Sequence, residues 1–474
     1  MSYRGLKGGA MKSEKTVKAW RRVWVNWMLL TLFFVWIPSL VDADISDMLL
    51  KFYPYITVQE EYSTNILLSP NRFKLADYIT TVNPGLRFFT LQPGAYGVDM
   101  DVSGGYTYYK RNSDFSYWDA SGRLNSWYAV TPRLTFVLRD YLIRSDAARE
   151  QQYQNLYDAQ GQYIGDTQPD QYLLSTQRVH AVYFRNVVEP SMEYRFGSEN
   201  LFSLLYRNNI YRNQNPLFED SQENTLNPRL AYWFDVSNGI SLDYRLTLNT
   251  YQRSPDHLVN GATPRYTYRF DPRLSIFGQY GFEYDDFESP GVDYYVHNPS
   301  LGIRYLFSPT LSGTAQGGYF WQIPKQGSKT QGPFVDISLA QNTPTTQYIL
   351  SAQGGYTEDY VTSQNLGFSK YYGAYGTINH WLTQRLSVRL TGSGYRVWYS
   401  TNNQKDWIWD ARVGASYLVF RWLAVSLTGG LRADRSNVAG SGYSEYSGIF
   451  RITLLRPGYQ PGMMGVSDYQ PSRR

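Results

Sequence analysis

Between residues 52 and 456 the chain repeats one pattern, runs of 10 to 15 residues in which apolar and polar side chains alternate. The run after Pro93 is the clearest. Tyr96, Val98, Met100, Val102, Gly104, Tyr106 and Tyr108 share one side, and Gly97, Asp99, Asp101, Ser103, Gly105, Thr107 and Tyr109 share the other. Successive side chains of a strand point to opposite faces, so each run predicts a strand with one oily and one polar face. The pattern recurs about twenty times with no helical stretch that could supply a second layer. A soluble sandwich turns its oily faces inward. A transmembrane barrel turns them to lipid and keeps a polar lumen, and the scale of the repeat favours the barrel.

The punctuation agrees. Tight turns at Gln92-Pro93-Gly94, Thr131-Pro132-Arg133, Gly197 to Asn200, Ser237-Asn238-Gly239, Asp271-Pro272-Arg273, Ser308-Pro309, Thr343-Pro344, Thr383-Gln384 and Arg421 alternate with longer polar connections. Short periplasmic turns alternating with long external loops is the outer-membrane arrangement. Strands are predicted near 52–63, 77–91, 95–110, 118–130, 134–145, 177–197, 200–212, 222–236, 239–253, 261–271, 273–287, 293–308, 310–323, 332–343, 345–360, 366–381, 384–400, 406–420, 422–435 and 443–456. The fold class is therefore all-β, an up-and-down antiparallel barrel of about 20 strands, or 18 if one early hairpin lies outside the wall. Pro84, Pro190, Pro228, Pro264 and Pro299 each sit about eight to ten residues before a tight turn. A proline removes a ladder donor, so these predict bulges or kinks that bend the wall.

Composition sharpens this picture. The chain holds 44 Tyr, 13 Trp and 23 Phe among 474 residues, a load suited to strands and interfacial girdles. It has no Cys, which removes disulfides and thiolate metal sites. The one long apolar run, Val23 to Leu40, follows Lys12, Lys15, Lys18, Arg21 and Arg22 and ends at Val41-Asp42-Ala43. That is a secretory-signal pattern, predicting a signal peptide over 1–43, a barrel over 44–456 and a disordered periplasmic tail over 457–474. Removing the signal's seven basic and two acidic residues leaves 38 of each sign, so the formal +5 points to no nucleic-acid partner.

Placing the oily phase in lipid places these charged residues in the lumen: Arg87, Asp99, Asp101, Glu193, Arg195, Arg207, Arg229, Asp235, Asp243, Arg245, Arg265, Arg269, Glu283, Arg304, Arg389, Asp410, Arg412, Arg432, Asp434 and Arg451. A basic side chain on the lipid face near the midplane would cost roughly 2–4 kcal/mol. Arginine dominates the set, and its planar donor fork suits carboxylates and sugar hydroxyls. The candidate solute contacts are accordingly Arg87, Asp99, Asp101, Arg195, Arg207, Arg229, Asp243, Arg245, Arg265, Arg269, Arg304, Arg389, Arg412 and Arg451. The competing reading is a cross-strand salt-bridge lattice that only braces the wall. In the longest loop, 146–175, Tyr153, Tyr157 and Tyr163 lie among amides and carboxylates, which makes them candidate external sugar contacts.

Catalysis finds no support. The four histidines, at 180, 257, 297 and 380, lack metal-ligand spacing, and there is no nucleophile elbow or phosphate loop. Neither a metal, a cofactor nor an enzyme activity is expected.

The opening of the barrel resembles a family of outer-membrane β-barrel porins encoded beside exopolysaccharide-biosynthesis and exosortase (PEP-CTERM) gene clusters in Gram-negative bacteria. The residues that carry the resemblance are Tyr55 to Tyr62 with Thr64-Asn65, Asp77-Tyr78-Ile79, Val82 to Leu86 and Thr131 to Leu134. The resemblance implies transport or presentation of a secreted polysaccharide and supplies no catalytic or binding residues. Such barrels commonly end on an aromatic residue read by the assembly machinery. Here about 19 residues follow the last strand, and Phe450 is the internal candidate. The expected function is passage or export of a hydrophilic solute, foremost exopolysaccharide. The expected partners are outer-membrane lipid, polysaccharide, the barrel-assembly machinery and periplasmic export proteins. Two other readings are a plugged barrel that anchors surface polysaccharide and a scaffold around a periplasmic or electron-transfer partner.

Overall fold

The computed structural model describes residues 50–90, 95–145, 182–215, 218–359, 367–400 and 403–455. The expected signal, the three loop tyrosines Tyr153, Tyr157 and Tyr163, and the expected tail lie outside these. Twenty strands follow in chain order. They are β1 (Leu50–Ser63), β2 (Asp77–Thr90), β3 (Tyr96–Tyr109), β4 (Tyr117–Thr131), β5 (Leu134–Ser145), β6 (Tyr183–Phe196), β7 (Asn200–Asn213), β8 (Ser221–Trp233), β9 (Asn238–Tyr251) and β10 (His257–Arg269). The second half is β11 (Leu274–Phe287), β12 (Tyr294–Ser308), β13 (Leu311–Pro324), β14 (Thr330–Asn342), β15 (Thr346–Asp359), β16 (Gly367–Trp381), β17 (Leu386–Tyr399), β18 (Lys405–Phe420), β19 (Leu423–Ser436) and β20 (Tyr443–Leu455). Each strand pairs antiparallel with its neighbour, and β1 pairs with β20, from Tyr55 opposite Leu455 to Ser63 opposite Ser447. The sheet is therefore closed and has no free edge.

The two faces separate as the alternation requires. Aliphatic side chains such as Val58, Val82, Leu226, Leu242, Leu301, Ile337, Leu390, Val413 and Leu427 are exposed on the outside. Aromatic pairs bracket this band. Toward the short turns lie Tyr232–Phe234, Tyr305–Phe307 and Phe420–Trp422, and toward the long loops lie Tyr62–Tyr78, Tyr106–Trp118 and Trp407–Trp409. A closed antiparallel wall of even strand number, apolar outside between two aromatic girdles, satisfies every backbone group without water. The protein is an outer-membrane β-barrel. Polar groupings interrupt the band, and two are representative. Asn186 donates to Asp140 at 2.6 Å, and Tyr206 and Asn208 both donate to Asn224 at 2.8 Å. Each grouping satisfies itself, which lowers the cost of polar atoms there.

The tight turns share one device. Thr131, Asp235, Asp271, Ser308, Thr343 and Thr383 each accept, through the side chain, a backbone N–H two or three residues ahead. These are the Asx and hydroxyl turns that make such residues effective chain reversers. Asp235 was expected in the lumen. It lies in the turn after β8 instead, because that strand ends at Trp233, and its carboxylate takes N–H bonds from Ser237 and Asn238. The donated bond from Ser237, first, and those from Asn238 hold its pKa below the usual carboxylate range.

The prolines do something other than bulge. At Pro84, Pro190, Pro228, Pro264 and Pro299 the pairing to the next strand skips two residues and resumes in the same register. No residue is inserted, so the wall loses a hydrogen bond without a shift. The register shifts lie instead beside tight turns, at Ala129/Thr131, Leu306/Ser308 and Leu418/Phe420. Asn227 shows the compensation at one proline. Its side-chain amide donates at 2.7 Å to the carbonyl of Tyr244, the residue facing Pro228. Asn227→Ala should cost about 1–3 kcal/mol by stranding that carbonyl. Urea unfolding of the reconstituted barrel measures this, and no change would mean that water replaces the amide.

Candidate functional site

The inner face carries a charged lattice, and its rows can be followed strand to strand. Arg87 grips Asp99 with two bonds of 3.0 and 2.7 Å, and Tyr55 donates to Asp101 at 2.7 Å. Arg207 lies 3.5 Å from Glu189 and 3.7 Å from Glu223, Arg229 lies 3.4 Å from Asp243, and Arg195 lies 3.8 Å from Glu193. On the far side Asp410 sits between Arg412 and Arg432, at 3.2 and 3.1 Å, and Arg432 also reaches Glu445. Asp434 is buried beside this group. Arg269 stands at the short-turn rim, pinned by Glu199 at 2.8 Å and stacked on Trp233, so it does not line the open lumen. The bond from Arg269 keeps the Glu199 pKa below the usual carboxylate range.

Four of the candidate arginines escape this lattice. Arg304 and Arg389 are exposed and have no ion-pair partner among the described residues. Arg451 bonds only to the Gln59 amide, at 3.1 and 2.7 Å, and Arg265 only to the Gln279 amide while stacking on Phe277. All four stand on the short-turn half of their strands, so the periplasmic half of the lumen presents guanidinium groups that meet an amide or stand exposed.

The opposite half is shaped by a departure from the wall. β14 and β15 pair only from Val335 opposite Gly354 down to Asn342 opposite Gln347. Above that point β14 stays with β13 as far as Thr330, and β15 stays with β16 as far as Asp359 opposite Gly367. The upper β15–β16 arm leaves its β14 neighbour and packs against the inner face of β11–β13. Phe320, Phe368, Tyr294 and Val296 are buried together, with Tyr356 and Phe287 against them. The Tyr356 ring lies 5.2 Å from Phe320 and 5.4 Å from Phe368. Tyr294 donates at 2.9 Å to Glu358, which sits on β15. Glycines sit at the point of departure. A Cβ on Gly354 would stand 2.0 Å from the Tyr372 ring. Tyr372 covers the opened seam and bonds to the Pro333 carbonyl of β14 at 2.9 Å. An aromatic laid over a strand glycine is a known way to hold such a kink.

This arm brings three acids together. Glu283 and Asp285 lie two residues apart on the inner face of β11, and Glu358 arrives from β15. One oxygen of each lies within 4.8 Å of the others. Arg245 of β9 reaches Glu283 across Gly261 of β10, where a Cβ would sit 3.3 Å from the Glu283 carboxylate. His257 Nε2 stands 3.5 Å from Asp285, and the imidazole stacks on Phe287 with centroids 4.5 Å apart. The alternation predicts β10 from residue 261. The structure begins it at His257, which puts the imidazole on the inner face next to Asp285. A cavity of about 660 Å³ opens above, lined by Tyr251, Phe287, Tyr294, Phe368, Trp398 and Tyr399 among others. At its edge Lys325 bonds to Asp293 at 2.7 Å. That bond lowers the aspartate's pKa and raises the lysine's. Sequence reading placed Glu283 and Arg245 inside the barrel but missed Asp285 and Glu358. The alternation of β11 signals Asp285, whereas no local pattern announces Glu358.

No family model and no curated protein matches the chain. Among solved structures it is similar to the siderophore receptor PirA of Pseudomonas aeruginosa, with 11% identity over 86% of this chain and 80% of that one and a TM-score of 0.45. It is also similar to the outer membrane protein OpdK of the same organism, with 10% identity over 86% and 99% and a TM-score of 0.41. For OprD of that organism the figures are 9% identity over 86% and 96%, with a TM-score of 0.37. The architecture and its placement rest on the strand pairing and the two faces of the wall, not on these likenesses.

Proposed function

We propose that the barrel is a porin-like channel that passes short, hydrophilic, acidic solutes across the outer membrane. A wall of this strand number encloses an aqueous lumen where side chains and loops do not fill it. The observation that carries the reading is a group of lumen arginines on the short-turn half left without carboxylates, Arg265, Arg304, Arg389 and Arg451. A brace needs each guanidinium paired, whereas a transit path needs some left free for the solute. Arg87, Arg207, Arg229, Arg412 and Arg432, paired with carboxylates, brace the wall. Exopolysaccharide enters only through the resemblance of the first strands. The inward arm of β15–β16 favours a short acidic solute over a long polymer. On this reading the partners are the lipid around the apolar band and the machinery that inserts the barrel.

Reconstituted in a planar bilayer under a potassium chloride gradient, the protein should show conductance steps with an anion-selective reversal potential. The double variant Arg304→Ala, Arg389→Ala should move that potential toward cation selectivity at similar step size. Absence of steps, or an unmoved potential in the variant, would overturn the reading.

A further inference from the structure

We infer that Glu283, Asp285 and Glu358 form a calcium site that clamps the inward β15–β16 arm to the inner face of β11. Three observations converge on it. The first is reach. Calcium holds oxygen ligands at about 2.3–2.6 Å, so two oxygens on opposite sides of one ion stand about 5 Å apart. One oxygen from each acid already lies within 4.8 Å of the other two, so all three can reach a single ion without backbone movement.

The second is an unmet demand inside the cluster. Asp285 is 0% exposed and neither carboxylate oxygen has a hydrogen-bond donor, and the Oε1 of buried Glu283 has none either. Buried carboxylate oxygens left this way are costly, and a bound cation is one of the few groups that satisfies several at once. The surrounding contacts leave those oxygens open. Arg245 takes the other oxygen of Glu283, and Tyr294 donates to Oε1 of Glu358. His257 approaches Asp285 only at 3.5 Å.

The third is charge. Three carboxylates against one guanidinium leave two negative charges, the charge that one divalent ion cancels. Oxygen-only donors of mixed spacing suit calcium's flexible coordination, with water from the cavity above completing the shell. The consequence is mechanical. Glu283 and Asp285 stand on β11 and Glu358 on the arm that has left β14, so the ion ties the arm to the wall.

The test is calorimetric and needs no conductance, so it stands or falls separately from the channel reading. The full chain, refolded into lipopolysaccharide-free detergent and stripped with chelator, is titrated with calcium chloride. One ion per chain should bind, and the heat needed to convert the compact band to the unfolded band on an SDS gel should rise with calcium. Glu358→Gln should weaken binding at least tenfold while still giving the compact band. Asp114→Asn, an exposed acid in the loop after β3, should leave binding unchanged. Absence of saturable binding, or equal binding by Glu358→Gln, would overturn the inference.

Discussion

Replacing Asp410 by alanine should destabilise the barrel by about 3–5 kcal/mol, the cost of leaving buried charge unpaired. Asp410 is 6% exposed and faces Arg432 directly across the β18–β19 ladder, with Arg412 two residues along on its own strand. Both guanidinium groups lie within 3.2 Å of its carboxylate. Without it they are left as neighbouring like charges, offset in part by Glu445, 3.7 Å from Arg432, and by Glu61, whose carboxylate interacts with both. These two acids therefore set the loss toward the lower end of the range. Replacing the arginines as well should recover part of it, because an apolar or neutral lumen wall does not need the carboxylate. Urea titration followed by the compact-to-unfolded band shift measures each variant. A loss below about 1 kcal/mol, the worth of an exposed pair, would show that lumen water already screens the group.

Phe368→Ala should free the upper β15–β16 arm. The Phe368 side chain is 3% exposed and touches Tyr294, Phe320 and Tyr356, with ring centroids 5.8, 6.3 and 5.4 Å away. A buried phenylalanine cut to alanine loses about 3–5 kcal/mol. That loss falls on the contact between the arm and β11–β13, since β15–β16 pairing is backbone-made and remains. The arm should then swing out of the lumen, raising single-channel conductance and deprotecting the amides of residues 355–359 in hydrogen exchange. Phe368→Leu fills most of the space and should behave like the parent. Unchanged conductance in the alanine variant would mean that the arm does not narrow the path.

Much of this wall was legible before any coordinates. The strand count, most boundaries to within a few residues, the sidedness of the charged residues and the turn residues all follow from local rules. Side-chain alternation has a period of two, and a turn needs Asp, Thr, Ser, Gly or Pro at set places. The errors have local causes too. The alternation continues in the sequence past Trp233 and so puts Asp235 in the lumen phase, although the chain there is already in a turn that the aspartate itself caps. Pro255 and Asp256 look like turn residues, so local pattern alone places His257 in a loop. The prolines predict bulges or kinks, and the structure shows no inserted residue, because removing one N–H requires only a gap, which Asn227 fills at Pro228.

The order of the strands, the two faces of the wall and its arginine-rich interior are thus properties of the sequence alone, because each depends on neighbours two residues away or on one hairpin. The seam between β14 and β15, the acid group of Glu283, Asp285 and Glu358, and the split between braced and unpaired arginines were decided only by the closed barrel. The inward fold of one arm and its ring packing bring together side chains from strands four apart, and no periodicity in the chain records a contact between strands that are not neighbours.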